Sequence, residues 1–293
     1  MTPAPTRARL QDALVEGLEP LPTPRHVLSE PLPERRRRRP LSLRQEYEEF
    51  ILQRIEDYKE QLSREQLLSL ADEAVRELEL GPEGQLVLTE VLMLEHVDRL
   101  IIRRLRLPTY RRWRDRHTRM RRAQRELTHW GLPADVPLKD LAQRVPPGET
   151  ALVVGAGAAG AAFYLAAHEV DVVAIAESLH GVDAIETRAA QEALATRVTA
   201  LVVALGDWFP DVDPSLVVLE PTALTGLEAP VRIRAMDALR ERTCQRGRHL
   251  VLPVEQRSDV RSLAPDALLA HYTGWQVERG TRNGSRWFVA IKP

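Results

Sequence analysis

The sequence predicts an α/β fold, a Rossmann-like, mostly parallel sheet in the C-terminal half, preceded by an α-helical N-terminal region. Two observations predict the sheet: apolar strands alternate with helical stretches from about residue 150 onward, and the first strand runs directly into a glycine-rich turn. Such alternation is typical of a parallel sheet covered by helices. A third observation, apolar residues recurring every three or four positions between residues 41 and 128, predicts the helical region.

Length and composition limit the number of domains and the expected location of the protein. The 293 residues have room for one large domain or two smaller ones. No apolar run approaches the roughly 20 residues that cross a bilayer, and the first thirty residues have no apolar secretory core, so we expect a cytoplasmic protein without membrane contact. The single Cys244 cannot form an internal disulfide, which fits a reducing compartment, and we predict a half-buried thiol.

The N-terminal half divides into a tail and a helical region. Residues 1–40 are rich in proline and charge and predict a flexible tail, in which Arg35–Arg39 is interpreted as a solvated linker. Residues 41–128 predict three or four amphipathic helices, enough for a small bundle or a cap, or for homodimerisation. Ser42 is the expected N-cap of the first helix, and Ser63 with Gln66 has capping-box form at the second.

The last two helices carry charges that could serve a ligand. After a break at Gly81-Pro82, the third is predicted from about residue 83 to residue 105, and the strongly basic fourth over residues 109–128. The third lacks the Glu-x-x-His spacing of a metal site, so we expect solvated charges at Glu90, Glu95, His96 and Asp98 and no metal. For the fourth, contact with nucleic acid through Arg111, Arg112 and Arg119 is an alternative. The net charge of −1 and the ordinary amphipathic pattern do not favour it.

From residue 129 to residue 293 the pattern is that of one α/β domain. Seven strands are predicted, in the segments ALVVG, VDVVAIAE, VTALVVAL, LVVLE, HLVLPV, WQVERG and RWFVAIK. Only Arg282-Asn-Gly-Ser285 separates the last two. Because Asn-Gly favours a tight hairpin, we expect the final strand to run antiparallel to its neighbours.

The motif that carries chemistry is the turn after the first of these strands. Gly155-Ala156-Gly157 follows it directly, and a helix follows the turn. Glycine lets the backbone turn sharply and lets a ligand approach closely, and the helix start offers free N–H groups. Glu177, at the tip of the second strand, can accept hydrogen bonds from both hydroxyls of a ribose. These features predict a nucleotide or nucleoside site.

Residues 130–293 resemble the class I S-adenosylmethionine-dependent methyltransferases. That family has a glycine loop after strand one, an acid after strand two and a second acid after strand three, and its signature is an antiparallel seventh strand. The resemblance implies S-adenosylmethionine as cofactor, held at Gly155, Ala156 and Gly157. It further implies that Glu177 holds the ribose and Asp207 the adenine amino group, with Trp208 against the adenine ring.

Two departures from the family pattern bear on function. The family usually has an acid two residues before the first glycine, where this chain has Val153, and the third glycine of the motif is displaced from Ala159 to Gly160. We therefore keep two hypotheses, a methyltransferase of unknown small-molecule or macromolecular acceptor and a catalytically inactive binding or scaffold protein of the same fold. An FAD- or NAD-binding Rossmann protein is a further alternative, because the same loop opens those folds.

No catalytic residue follows from the sequence. Glu220, after strand four, is a candidate general base, but a loop or capping carboxylate is the competing interpretation. His168 and His180 flank the predicted cofactor loops, and we expect both to be solvent-exposed.

Overall fold

The computed structural model describes residues 28–31, 41–80, 90–134, 136–146, 148–253, 263–282 and 285–293. Contacts divide the chain into two units, a helical unit over residues 35–123 and an α/β unit comprising residues 1–34 and 124–293. Several predicted features lie outside the described residues: the run Arg35–Arg39, the break at Gly81-Pro82 and the turn residues Asn283 and Gly284. Within the described residues, no helix combines the length and the apolar character needed to cross a membrane.

In its described residues the helical unit contains four helices: α1 (Leu43–Gln61), α2 (Arg64–Leu80), α3 (Glu90–Arg104) and α4 (Tyr110–Gln124), whose last residue already belongs to the α/β unit. Both predicted caps are confirmed. The Ser42 hydroxyl accepts from the backbone N–H of Gln45, whose side chain accepts from the Ser42 N–H, and Ser63 and Gln66 make the same reciprocal pair. The caps explain where α1 and α2 begin, because they satisfy N–H groups that have no partner within the helix.

The helical unit has a small apolar core and many ion pairs. Five buried residues form the core: Ile55, Leu70, Ala74, Leu100 and Ile101. The expectation of solvated charges on α3 is wrong for two residues. The His96 side chain is only 15 % exposed and lies 3.1 Å from Glu77, and Asp98 pairs with Lys59 at 3.0 Å. Both partners lie on other helices, so these charges connect α3 to α2 and α1.

The α/β unit contains the predicted seven-stranded sheet, in the order β4 (Val198–Val202), β3 (Asp171–Ala176), β2 (Thr150–Val154), β6 (Leu216–Leu219), β7 (Arg248–Val251), β9 (Ser285–Ile291) and β8 (Gln276–Arg282). Five of the seven strands run parallel: β2, β3, β4, β6 and β7. The strand order reverses between β2 and β6, which is where an open sheet of this kind leaves a crevice at the carboxyl ends of its strands.

The last two strands form the predicted hairpin. β8 (Gln276–Arg282) and β9 (Ser285–Ile291) are antiparallel, and β9 inserts between β7 and β8 with antiparallel pairing on both sides. The prediction of a reversed final strand is confirmed. The fold is therefore the Rossmann-like seven-stranded sheet of the methyltransferase type, preceded in the chain by helices.

One strand pair has no counterpart in the sequence analysis. β5 (Trp208–Asp211) pairs in parallel with β1 (Leu28–Pro31). The sequence predicts a loop at residues 208–211 and a flexible tail around residues 28–31. Neither segment has the apolar alternation of a longer strand, so periodicity alone does not identify them.

Apolar side chains cover both faces of the sheet. On β2 the side chains alternate, since Ala151 and Val153 belong to one core cluster and Leu152 and Val154 to the other. The first face packs against α5 (Leu138–Arg144), α6 (Ala159–Ala167) and α7 (Leu179–Gln191), and the second against α8 (Ala229–Arg242) and α9 (Pro265–Leu268). Burial on both faces explains why the parallel strands are almost continuously apolar.

Candidate functional site

The glycine loop lies at the carboxyl end of β2, at the point where the strand order reverses. Gly155 has φ +103° and ψ 135°, a conformation that side chains with a Cβ rarely adopt, and its N–H donates to the carbonyl of Ile175 at 2.9 Å. A 3₁₀ turn over Ala156–Ala158 leads into α6. Ala156 and Gly157 are exposed at the surface.

The side chain of Glu220 lies directly over this loop. A Cβ placed on Gly157 would be within 2.5 Å of both carboxylate oxygens of Glu220, and a Cβ on Gly155 would be 2.7 Å from one of them. Strand pairing explains the proximity: Val154 pairs with Leu219, and the Glu220 N–H donates to the Val154 carbonyl at 3.0 Å. The missing side chains at both glycines therefore make room for a half-buried carboxylate.

Glu177 follows β3, the strand beside the glycine loop. Its side chain is exposed. The next residue, Ser178, caps α7 by accepting from the N–H of Gly181 at 3.2 Å. A Cβ on Gly181 would be 3.4 Å from the Cβ of Ala156, so the turn that carries Glu177 packs close to the glycine loop.

Asp207 lies in the loop after β4, and Trp208 is the first residue of β5. Asp207 is exposed and pairs with Arg234 of α8 at 3.4 Å, and the Arg234 side chain also donates to the Gly206 carbonyl at 3.1 Å. Trp208 is half-buried and packs against the second core cluster. The arginine that holds this loop was not identified from the sequence. Nothing in its local pattern distinguishes Arg234 from the other arginines of α8.

The two departures from the family pattern have structural explanations. Val153 is fully buried in the first core cluster. Gly160 sits in the first turn of α6, where a Cβ would be 2.7 Å from the backbone oxygen of Trp130. Gly160 is therefore needed for close packing of α6 against the segment Leu127–Trp130.

Of the two histidines expected beside the cofactor loops, only His180 is solvent-exposed, and His168 lies at the end of α6 far from the glycine loop. His180 is exposed on the first turn of α7. His168 is half-buried at the end of α6, and its Nδ1 lies 2.9 Å from the Tyr164 carbonyl. The expectation of exposure is therefore wrong for His168.

The charge of the crevice restricts which ligands fit it. Glu220 lies over the glycine loop and Glu177 is exposed after the neighbouring strand, and within the described part of the chain neither pairs with a cationic side chain. A diphosphate brought against the glycine loop would meet the Glu220 carboxylate, and like charges in contact repel strongly. A ligand with a cationic group would instead supply the missing partner of that carboxylate.

The sheet order and the reversed last strand define a Rossmann-like α/β fold, with the glycine loop at its switch point. Among solved structures, the chain is similar to the glycopeptide N-methyltransferase MtfA in complex with S-adenosylmethionine, with 16 % identity and a TM-score of 0.43 over 53 % of this chain and 86 % of that one. A TehB-like S-adenosylmethionine-dependent methyltransferase from Corynebacterium glutamicum has 18 % identity and a TM-score of 0.43, covering 62 % and 93 %. TehB from Haemophilus influenzae has 15 % identity and a TM-score of 0.44, covering 57 % and 65 %. No family model and no curated protein matches the chain.

Proposed function

We propose that the α/β unit binds S-adenosylmethionine at the glycine loop and transfers its methyl group to an acceptor. The observation that carries the proposal is the Glu220 carboxylate over the bare backbone of Gly155 and Gly157. S-adenosylmethionine has a cationic ammonium and a sulfonium and no phosphate. FAD and NAD bring a diphosphate to the corresponding loop, so this carboxylate favours the first ligand over the other two.

Each residue of the site has a separate role in binding S-adenosylmethionine. Gly155 and Gly157 leave the space, and Glu220 accepts hydrogen bonds from the ammonium group, in place of the acid that the family usually has at position 153. Glu177 accepts from the ribose hydroxyls. Asp207, already oriented by Arg234, offers its second carboxylate oxygen to the adenine amino group.

Methyl transfer needs little from the protein beyond this positioning. The bound sulfonium supplies the methyl group and the leaving group, and the displacement is accelerated mainly by holding the reacting groups in line and away from water. A general base is required only where the acceptor must lose a proton. Glu220 is committed to the glycine loop in this arrangement, so it is assigned to binding.

Calorimetry on the full chain tests the binding step. We expect S-adenosylmethionine to bind, and Glu220→Gln to weaken it by at least tenfold, because a half-buried charge-assisted hydrogen bond is lost while the side-chain volume is kept. Glu177→Ala should have a comparable effect. The matched control is Glu278→Gln, which removes an exposed carboxylate from the edge strand β8. Absence of binding at millimolar concentration, or tighter binding of FAD or NAD, would rule the proposal out.

A binding protein without turnover is the second candidate. It is favoured by the position of Glu220, since the one base nominated from the sequence faces the cofactor loop. Methyl-labelled S-adenosylmethionine, incubated with fractionated small molecules and macromolecules, separates the two candidates. Label transferred by the wild type but not by Glu177→Ala identifies an enzyme. Intact binding without transfer to any fraction identifies the second candidate.

A further inference from the structure

The exposed side of α4 is strongly cationic, although the exposed carboxylate of Asp115 lies among its arginines. The helix carries seven arginines and one aspartate in fifteen residues. With 3.6 residues per turn, five of the arginines fall within an arc of about 140°, and all five are exposed. We call this surface the arginine stripe: Arg111, Arg112, Arg116, Arg119 and Arg122.

The arginine stripe is not neutralised by its own unit. Two other arginines of α4 are paired, Arg114 with Asp115 at 3.2 Å and Arg121 with Glu46 at 3.4 Å. Within the described part of the chain, none of the five stripe arginines pairs with a carboxylate; Arg119 alone makes a side-chain contact, to the backbone carbonyl of Asp115. The helices α1 and α2 are by contrast predominantly acidic, so the charge of the helical unit is segregated.

The opposite side of α4 is the buried one. Trp113 is 8 % exposed, stacks on His117 at 4.6 Å between ring centroids, and packs against Tyr47 at 5.5 Å. The buried Trp113 is therefore not available to stack on unpaired bases. The stripe therefore offers guanidinium groups without an aromatic platform.

We propose that the arginine stripe binds the phosphate backbone of double-stranded DNA. A partner protein is disfavoured because no large hydrophobic residue of α4 is exposed, and protein interfaces have an apolar centre. The major groove of B-form DNA admits an α-helix and places phosphates along both of its walls, which suits an arc of cations. The major groove of duplex RNA is too deep and narrow for a helix. From Arg111 to Arg122 the stripe spans about 16 Å at 1.5 Å per residue, the length of about five base pairs.

Fluorescence anisotropy of the full chain with a 20-base-pair DNA duplex tests the proposal between 50 and 200 mM KCl. If each of the five arginines displaces a counterion, the logarithm of the association constant should fall with the logarithm of salt concentration with a slope of about −4 to −5. The variant Arg112→Gln/Arg116→Gln/Arg119→Gln should reduce that slope by about 3 and weaken binding at 50 mM KCl by at least tenfold.

The control has the same charge change elsewhere in the helical unit. Arg54→Gln/Arg64→Gln/Arg76→Gln alters exposed arginines of α1 and α2, and we expect it to retain the wild-type slope. Circular dichroism checks that both variants keep their helices. Lack of DNA binding at 50 mM KCl, equal losses in the two variants, or tighter binding to duplex RNA, single strands or polyglutamate would each overturn the proposal. None of these readouts depends on S-adenosylmethionine.

Discussion

The two units of this chain are stabilised by different interactions. The α/β unit buries apolar side chains on both faces of its sheet, in two large clusters. The helical unit has a core cluster of only five buried residues, and its helices are joined by ion pairs such as Lys59 with Asp98 and Arg104 with Glu73. Apolar burial is insensitive to salt, whereas exposed ion pairs are weak and screened. We therefore expect core substitutions and pH to change mainly the stability of the α/β unit, and salt to change mainly that of the helical unit.

Truncating the core should have the largest effect, and a larger one in the α/β unit. Leu152 is fully buried at the centre of β2, and Leu152→Ala should cost about 3–4 kcal/mol of unfolding free energy, because the rigid sheet cannot close the cavity. Leu70 is 1 % exposed in the small helical cluster. Leu70→Ala should cost about 2 kcal/mol of unfolding free energy, because the surrounding helices can move into the cavity. Urea unfolding followed by hydrogen exchange of peptides from each unit measures both. An equal or larger loss of unfolding free energy for Leu70→Ala would contradict this difference between the two units.

The α/β unit also contains a buried polar chain that makes it sensitive to acid. His249 is fully buried, with its Nε2 2.6 Å from the Thr243 hydroxyl and its Nδ1 2.9 Å from the Tyr272 hydroxyl. Thr243 donates to the Leu239 carbonyl, so it accepts from Nε2–H, and Tyr272 donates to Nδ1. Both ring nitrogens of the neutral imidazole are thus satisfied. Burial, with smaller contributions from Lys292 and Arg240, lowers the pKa of His249 to about 3.

The sign of the resulting pH dependence follows from the lowered pKa. Between the ordinary pKa of about 6.5 and the folded value, the unfolded chain binds a proton that the folded one does not. The stabilisation is complete above pH 6.5 and is lost toward pH 3. One proton contributes a slope of about 1.4 kcal/mol per pH unit, hence about 2 kcal/mol between pH 6.5 and 5. His249→Leu should remove this contribution from urea unfolding curves, while His180→Leu, at an exposed position, should keep it. Identical slopes in wild type and His249→Leu would refute the assignment.

Alanine substitutions at two glycines between β2 and β3 should distinguish a role in packing from a role in ligand binding. Gly160→Ala places a Cβ 2.7 Å from the Trp130 backbone oxygen, which cannot move away, and should cost about 1–2 kcal/mol despite the better helix propensity of alanine. Gly157→Ala instead meets the end of the flexible Glu220 side chain. We expect a smaller stability loss there, combined with weaker S-adenosylmethionine binding. Thermal unfolding and calorimetry of both variants measure the contrast, and a greater stability loss at Gly157 would contradict it.

The sequence predicts the fold correctly where a segment has one clear pattern of apolar residues. It predicts the candidate site only in part. The apolar runs of β2, β3 and β6 are short and rich in valine and isoleucine, which favours strands buried on both faces. Asn283-Gly284 predicts the hairpin that the pairing of β8 with β9 confirms. The pairing of β5 with β1 depends on a contact between distant segments, which no local pattern encodes. The roles of Glu177, Asp207 and Trp208 remain predictions.

The placement of the Glu220 side chain over the glycine loop could be predicted only in part from the sequence. The place of Glu220 after a strand was evident, and the carboxyl ends of neighbouring parallel strands meet at one edge. Because Gly155 and Glu220 each follow a strand of the predicted sheet, their place at the same edge could have been inferred. The direction of the Glu220 side chain could not, because it depends on the space that two absent side chains leave.

The smallest predicted effect concerns the ion pairs of the helical unit. Glu73 of α2 pairs with Arg104 of α3, and both side chains are more than a third exposed. Glu73→Gln should therefore cost at most about 1 kcal/mol at low salt, and the cost should disappear in 1 M KCl, where screening acts within about 3 Å. Glu79→Gln, on the same helix and without an ion pair in the described part of the chain, is the control and should have no salt-dependent effect. Hydrogen exchange of α2 and α3 peptides at both salt concentrations measures the difference. If the loss persists in 1 M KCl, Glu73 contributes through packing, and the contrast between an apolar unit and an ion-paired unit is weaker than we infer.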